Sequence, residues 1–276
     1  MKHSEINLQP NFMQNNEIMN YFIINVSVMN IYQEPSFNSP VVTQALLGET
    51  CRIINRSDHW VQIKQMDGYE GWANDIYGTI QSEKYEANYI YCEHMGVIVN
   101  DKNLPIRTVN YGSMVQAKRH GNQYDVLLPD HQQGIIKKGL RAHNLPPTRE
   151  SIVSLAMSFI GIPYQWGGKS TQGFDCSGFV QTVFKSHGIN FPRDSYQQAE
   201  ALQKTIKIDK AKKGDLLFFA KKGQINHVAI SLGSYDLVNA RGWVRIESTD
   251  PEHTLFSQKL RDLFVKALSV EDVLNS

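Results

Sequence analysis

The sequence predicts a multidomain protein in which two small all-β modules precede an α+β domain, and three observations carry that prediction. The 276 residues exceed one typical domain of roughly 100 to 200 residues. Short β-like runs broken by turn residues fill the chain up to about Pro146, and the rhythm of these runs occurs twice. After Pro146 the pattern becomes helical and then returns to strands, so the third unit combines helices with a sheet.

The first module follows a polar segment that covers residues 1–20. Turn signals at 38–40, 57–58 and 67–68 separate its β-like runs, so the spacing predicts a small barrel over 21–86. The runs are Tyr21–Val26, Val26–Met29, Val41–Val42, Cys51–Ile54, Trp60–Lys64 and Gly71–Ala73.

The second module repeats the rhythm less distinctly over residues 87–146, with residues 119–122 as a turn. Its runs are Tyr89–Tyr91, Gly96–Val99, Leu104–Arg107, Ser113–Lys118, Tyr124–Leu128 and Gly134–Lys137. Two tandem barrels are the economical interpretation, and a single split sandwich is the alternative.

The third unit, residues 147–276, begins with a helix that Thr148 can cap. A second helix carries Phe179 and Val183 and ends near Gly188, where glycine suits the left-handed stop. Antiparallel strands are expected at 215–220, 227–232, 236–240 and 244–248, followed by a terminal helical stretch.

Composition excludes several classes of protein. The 28 Lys and Arg against 27 Asp and Glu give a formal net charge of +1, so charge alone attracts neither nucleic acid nor a membrane surface. The three cysteines form no Cys-x-x-Cys pair, which argues against a disulfide framework and a zinc site. We find neither a leader pattern nor a long apolar run, so we expect a cytoplasmic protein with no nucleic-acid or membrane partner.

One set of residues can carry nucleophilic chemistry. Cys176 lies in the first turn of the second helix with Asp175 as the predicted N-cap; the helix dipole favours a thiolate there and the Asp175 charge opposes it. A hairpin centred on Gly233 would place His227 opposite Asn239, so that the amide could orient the imidazole. Judged by spacing alone, a chance arrangement of these residue types explains the pattern equally well.

Five motifs add a resemblance to a known family. In order they are Pro163–Gly168, Phe174–Val180, Pro192–Ser195, Gly214–Phe218 and Asn226–Ile230. They resemble the NlpC-type cysteine peptidases of the bacterial cell wall, which have a papain-like fold. Upstream, Leu47–Glu49, Trp60–Lys64 and Gly71–Trp72 resemble bacterial SH3 domains. The resemblance therefore implies two SH3-like barrels followed by a papain-like α+β domain.

The resemblance also implies catalytic roles. Cys176 would be the nucleophile and His227 the general base, with Asn239 as the orienting third member at a position where the family more often has histidine. Tyr164 would help to hold the oxyanion. No metal or cofactor is implied.

Members of the family with tandem SH3-like modules and no leader resemble γ-D-glutamyl-diamino acid peptidases. These cut short murein stem peptides before diaminopimelate or lysine and release L-Ala-γ-D-Glu for cell-wall recycling, so the implied partners are short peptidoglycan-derived peptides. The implied substrate-binding residues are Asp175, Ser177, Arg193, Asp194 and Ser195. An acid and a tyrosine of the first barrel would meet the free N-terminus; Glu49, Glu70, Tyr69 and Tyr77 are candidates, and we take Glu49 and Tyr77 forward.

Two other functions stay open at this point. In one, the barrels bind cell wall or peptide and the C-terminal domain is a scaffold without activity. In the other, the same thiol serves an amidase or acyltransferase, because a fold alone does not fix the reaction.

Overall fold

A computed structural model describes residues 20–275, and its strands fall into three groups along the chain. The predicted polar segment 1–20 lies outside the described residues except for Asn20. Among the described residues, no helix is both long and apolar enough to cross a membrane.

The first group is one seven-stranded antiparallel sheet that closes around its own apolar core. Its strands are β1 Tyr21–Ile24, β2 Val28–Tyr32, β3 Val41–Leu46, β4 Thr50–Ser57, β5 Trp60–Lys64, β6 Glu70–Asn74 and β7 Gly78–Gln81, with a 3-10 turn at Asp75–Tyr77. They are ordered β3-β2-β6-β5-β4-β1-β7. Alternate residues such as Phe22, Ile31 and Ile63 are fully buried in this core, as half-buried strands require.

The second group has the same strand order. Its strands are β8 Tyr89–Tyr91, β9 Met95–Val99, β10 Pro105–Asn110, β11 Met114–His120, β12 Gln123–Leu127, β13 Gln133–Ile136 and β14 Leu140–Arg141. They are ordered β10-β9-β13-β12-β11-β8-β14, which repeats the first topology seven strands later. A separate core surrounds Ile98 and Val115. Two copies of one module describe this arrangement better than a single split sandwich.

The third group combines helices with a six-stranded antiparallel sheet. Its helices are α1 Arg149–Ser158, α2 Cys176–Lys185, α3 Ser195–Glu200, α4 Gln258–Leu263 and α5 Glu271–Leu274, with a 3-10 turn at Ile208–Lys210. The six strands of the sheet are β17 Thr205–Ile206, β18 Leu216–Lys221, β19 Gln224–Gly233, β20 Asp236–Arg241, β21 Trp243–Ser248 and β22 Phe264–Leu268, and a separate two-stranded sheet consists of β15 Lys169–Ser170 and β16 Gly173–Phe174. The order β17-β22-β18-β19-β20-β21 places β19 in the interior of the sheet, where α2 packs against it.

Two sequence expectations need correction here. The terminal stretch is not simply helical, because Phe264–Leu268 forms a strand that pairs with β18 between two short helices. In the β19–β20 hairpin, Ile230 lies opposite Val238 and Ser231 opposite Leu237, two residues away from the register that places His227 directly opposite Asn239. A two-residue shift preserves which face each side chain occupies, so both residues still share one face of the sheet.

Hydrogen bonds and ion pairs join the first barrel to the third unit. The Lys169 backbone N–H donates to Gln44 Oε1 (3.1 Å), and Gln181 Nε2 donates to Asp67 Oδ2 (2.8 Å). The barrels also contact each other, since the Met114 N–H donates to Leu47 O (2.8 Å). The three units therefore form one packed body, with the first barrel beside the start of α2.

Candidate active site

Cys176 is the first residue of α2. The Asp175 side chain caps this helix by accepting a hydrogen bond from the Gly178 N–H (2.7 Å). Cys176 is 7% exposed, and its sulfur lies 3.9 Å from the carbonyl oxygen of Asn226, the residue before His227. The helix start and β19 thus bring the thiol to the strand position that carries the imidazole.

The electrostatics of the thiol differ from the sequence expectation. Burial, followed by the Asp175 carboxylate, raises the pKa of Cys176 to about 11. The helix start does not compensate, because the thiol has lost its water and has an acidic neighbour. In the free protein the sulfur therefore carries its proton at neutral pH.

His227 and Asn239 are hydrogen-bonded through His227 Nε2 and Asn239 Oδ1 (2.8 Å). Asn239 is fully buried, and its Nδ2 donates to Glu247 Oε2 (3.0 Å), so the amide oxygen is the atom turned towards the ring. Nε2 must then carry the proton, which leaves Nδ1 as the basic nitrogen. Burial lowers the pKa of His227 to about 4 although the Asn239 hydrogen bond acts in the opposite direction.

Glu247 stands behind this pair, and sequence reasoning missed it. Arg241 Nε donates to Glu247 Oε2 (3.1 Å) and Arg245 Nη2 donates to Glu247 Oε1 (3.2 Å). Burial acts to raise the pKa of Glu247, but the hydrogen bonds from Arg241 and Asn239 hold it below the usual value. Its carboxylate is thus ionised at neutral pH and can only accept from the Asn239 amide.

Tyr164 lies close enough to Cys176 and Asp175 for both to act on its pKa. Its backbone N–H donates to Gly242 O (2.8 Å), which fixes the residue against the β20–β21 turn. Burial, then the neighbouring Cys176 and Asp175, raise the pKa of Tyr164 to about 12. The phenol therefore keeps its proton at neutral pH and can donate a hydrogen bond near the sulfur.

Asp175, Ser177 and Arg193 form one buried cluster with a residue of the first barrel. Arg193 is 2% exposed, and its guanidinium donates to Asp175 Oδ1 (3.0 Å), Asp175 Oδ2 (2.5 Å) and Ser177 Oγ (2.9 Å). Its Nε donates to Thr43 Oγ1 (2.8 Å) of β3. In the free protein this guanidinium already holds Asp175, and the role of Arg193 in binding a substrate carboxylate stays a prediction.

Asp194 and Ser195 begin α3 and lie next to Tyr69 of the first barrel. Ser195 is buried, whereas Asp194 is half-buried. Burial raises the pKa of Asp194 although Arg193 and a hydrogen bond from Tyr69 act in the opposite direction. The Tyr69 hydroxyl and the Asp194 carboxyl together form a polar pair at the border between the two units.

The first-barrel residues carried forward from the sequence do not join this pair. Glu49 is 4% exposed, and its carboxylate pairs with Lys185 (2.7 Å) and Lys169 (3.4 Å) in the free protein. Tyr77 has its ring against Phe37 and its carbonyl bonded to the Asn25 N–H, both within the first barrel. Glu49 thus joins the first barrel to the third unit, and Tyr77 packs against its own barrel; that these residues meet the substrate N-terminus stays a prediction.

Comparisons with known proteins agree with this geometry. Residues 161–263 match the model of the NlpC/P60 family, and residues 31–75 match that of the bacterial dipeptidyl-peptidase SH3 domain. A γ-D-glutamyl-L-lysine dipeptidyl-peptidase of Bacillus subtilis is 31% identical over 72% of this chain and 72% of its own length. The chain belongs to the NlpC/P60 family. Membership identifies it as a cysteine-type peptidase and confirms the predicted family and fold class.

Other relatives of this NlpC/P60 protein extend the similarity. A γ-D-glutamyl-L-lysine dipeptidyl-peptidase of Bacillus cereus is 31% identical over 72% of this chain, which covers 66% of that relative's length. Dipeptidyl-peptidase 6 of Lysinibacillus sphaericus is 28% identical over 88% of this chain and 96% of its own length. A crystal structure of an NlpC/P60 family protein from Bacillus cereus has a TM-score of 0.80 at 24% identity, covering 90% of this chain and 99% of that one. That structural likeness shows that the fold extends over all three units.

Among the described residues of this NlpC/P60 protein, no cluster of three or more His, Cys, Asp or Glu side chains could hold a metal ion. The residues that sequence reasoning missed are Glu247 and Thr43, since both act through contacts between distant segments. The only signal for Glu247 was its place two residues beyond Arg245 on the same face of β21. Thr43 gave no signal, because it belongs to a different unit from the arginine it binds.

Proposed function

We propose that this NlpC/P60 protein hydrolyses the bond between γ-D-glutamate and the diamino acid, lysine or diaminopimelate, in short peptidoglycan-derived peptides and releases L-Ala-γ-D-Glu. The observation that carries the proposal is the ordered chain of contacts from Asn226 at the Cys176 thiol, through His227, to Asn239. Relatives named for the γ-D-glutamyl-L-lysine bond support the choice of substrate.

Cys176 acts as the nucleophile and His227 as the general base in this proposal. His227 Nδ1 takes the thiol proton while the sulfur adds to the γ-carbonyl carbon, because the neutral imidazole is the form present at neutral pH. The imidazolium then gives that proton to the leaving amine, and a thioester remains. Water, deprotonated by the same imidazole, hydrolyses the thioester and frees the dipeptide and the thiol.

Two donors are suited to stabilising the oxyanion of the tetrahedral intermediate. The backbone N–H of Cys176 is at the start of α2, where helical N–H groups have no acceptor within the helix. The Tyr164 phenol stays protonated because burial raises its pKa to about 12. Asn239 holds the His227 ring in the tautomer that this sequence of proton transfers needs.

Restriction to short peptides follows from the first barrel. Tyr69 and Asp194 form the polar pair described above at the border between the first barrel and the third unit, and a carboxyl with a phenol suits a free ammonium group. In this proposal the pair receives the N-terminal L-Ala. Ser195 follows Asp194 at the start of α3, and the preceding Arg193 binds the buried Asp175 and Ser177 side chains.

The test is incubation of L-Ala-γ-D-Glu-L-Lys and its diaminopimelate counterpart with the wild type and with Cys176→Ala, followed by mass identification of products. We expect L-Ala-γ-D-Glu from the wild type only. Cys92→Ala is the matched control, since Cys92 is a half-buried cysteine outside the site and its loss should leave the activity intact. Activity in Cys176→Ala, or release of a different product, would reject the proposal.

A second substrate tests the restriction to short peptides. Acetylation of the L-Ala amine removes the charge that the Tyr69–Asp194 pair would bind, so we expect kcat/KM to fall at least tenfold. Equal rates on the free and the acetylated peptide, or rapid release of peptides from intact sacculi, would exclude a role in peptide recycling.

A further inference from the structure

A cleft lies beside His227. It has a volume of about 760 Å³ and lies between the β18–β19 hairpin, the end of β20 and helix α4. The side chains that line it include Phe219, Lys221, Arg241, Lys259, Asp262 and Leu263. It therefore adjoins the histidine that acts as general base in the proposed mechanism.

The lining of this cleft carries an excess of positive charge. Lys221 and Lys259 are exposed and, within residues 20–275, have no carboxylate within ion-pair distance. Arg241 also faces the cleft, with part of its charge compensated by Glu247. The one acid, Asp262, accepts a hydrogen bond from Gln258 Nε2 (2.6 Å). Two ammonium groups without a carboxylate partner among the described residues thus line the cleft.

The chemistry of the reaction fixes which part of a substrate occupies this cleft. His227 must deliver its proton to the departing amine, so the leaving amino acid lies on the imidazole side of the thiol. The cleft starts at that imidazole. A short peptide that is cut before its last residue leaves an amino acid whose free carboxylate is only two bonds from the departing nitrogen.

From this geometry we infer that the cleft is the leaving-group subsite and that Lys221 and Lys259 bind the free carboxylate of the departing amino acid. The inference rests on the proposed function, which it extends from the acyl half of the substrate to the leaving half. Lysine ammonium groups are suitable point charges for a carboxylate, and an exposed pair discriminates a charged from a neutral end without closing the cleft. The enzyme is then selective at both ends of its substrate, with acidic and phenolic groups at one end and ammonium groups at the other.

The test compares L-Ala-γ-D-Glu-L-Lys with its C-terminal amide in the wild type and in the double variant Lys221→Gln/Lys259→Gln. We expect the wild type to prefer the acid about tenfold in kcat/KM, and this ratio to fall to about one in the double variant. Lys207→Gln is the matched control, because it removes one exposed lysine charge of the same domain outside the cleft and should keep the wild-type ratio.

The inference would be overturned if the wild type had equal kcat/KM values for the acid and the amide, or if the acid-to-amide ratio were the same in the double variant as in the wild type. The identity of the products tests the proposed function separately: release of L-Ala-γ-D-Glu from both peptides supports the bond assignment whatever the ratio. If the wild type cleaves a different bond, the proposed function fails while the acid-to-amide ratio still reports on the lysines.

Discussion

Cys176 and His227, the proposed catalytic pair, are both uncharged at neutral pH. Burial acts on the two groups in opposite directions, raising the pKa of Cys176 to about 11 and lowering that of His227 to about 4. Each shift disfavours the charged form of its own group, as desolvation does. Proton transfer from sulfur to imidazole must therefore accompany attack on the substrate rather than precede it.

Alkylation of the thiol tests this protonation state. Below a pKa of about 11 the thiolate fraction rises tenfold with each pH unit, so we expect the rate of Cys176 alkylation by iodoacetamide to rise steadily between pH 7 and pH 10. Cys176→Ala gives the background from the other two cysteines. A constant rate across this range would instead indicate a preformed thiolate–imidazolium pair.

Glu247 should act as a positioning residue for the Asn239 amide. A glutamine at this position can accept or donate, so Glu247→Gln no longer forces the Asn239 oxygen towards His227. We expect kcat to fall about tenfold with KM changed less than about twofold. The acid limb of the pH profile should also move lower, because the Glu247 charge raises the pKa of His227.

Glu271→Gln is the matched control for that variant. Glu271 forms an exposed ion pair with Lys204 instead of binding the Asn239 amide, so this variant should keep wild-type kinetics. A Glu247→Gln enzyme that loses thermal stability but keeps kcat and its pH profile would show a purely structural role.

The sequence identified Cys176 and His227 from motif residues that are contiguous along the chain. Asn239 followed from strand alternation, which survives a register error of two residues. The pairing of Arg193 with Asp175 could not be predicted. Whether an arginine faces solvent or a buried carboxylate depends on what covers it, and here the cover includes Thr43 from another unit.

At the level of elements, the strands of the barrels were easier to predict than the end of the chain. Repeated turn signals delimit β-runs, whereas Phe264–Leu268 has an apolar pattern that fits a helix or a strand equally well. Its partner β18 lies more than forty residues earlier along the chain, and that long-range pairing decided the outcome. Local pattern alone does not contain this information.

The connection after β3 depends on one glycine. Gly48 has φ +78°, and a Cβ atom there would lie 1.8 Å from the Met114 carbonyl oxygen of the second barrel. We expect Gly48→Ala to lower the free energy of unfolding by about 2 to 4 kcal/mol, because backbone strain adds to a clash that separates the barrels.

Gly121→Ala serves as the control, since Gly121 has φ +59° with open space around it and should cost about 1 kcal/mol from strain alone. Denaturant unfolding of both variants measures the difference. Equal losses of unfolding free energy in the two variants would show that the Met114 backbone moves away from the added methyl group at no cost.

For the whole molecule, Glu49 is the link between the first barrel and helix α2. Burial acts to raise its pKa, yet Lys169 and Lys185 hold it at about 2, below the usual value of 4.5. A depressed carboxyl pKa contributes stability above the unfolded value, and this contribution is lost as pH falls towards the folded value. The interface should therefore weaken between about pH 4.5 and pH 2.

Glu49→Gln should reduce the free energy of unfolding by about 3 kcal/mol at pH 7, and the difference from wild type should shrink as the pH falls below 4.5. Glu70→Gln breaks the exposed pair with Lys64 and should cost less than about 1 kcal/mol at either pH. A loss in Glu49→Gln that does not depend on pH would assign it to packing rather than to charge.

Thr43 and Arg193 lie 150 residues apart in the chain, yet one hydrogen bond joins them in the buried cluster that also contains Asp175 and Ser177. The gene segments that encode the first barrel and the third unit therefore cannot diverge independently. Recombination at the Pro146 boundary that brings in a barrel with an apolar residue at position 43 would leave a buried guanidinium nitrogen without an acceptor, at a cost of about 1 to 3 kcal/mol. We expect lineages that exchange this barrel to keep a hydroxyl side chain at position 43, so that the two modules are inherited as one enzyme.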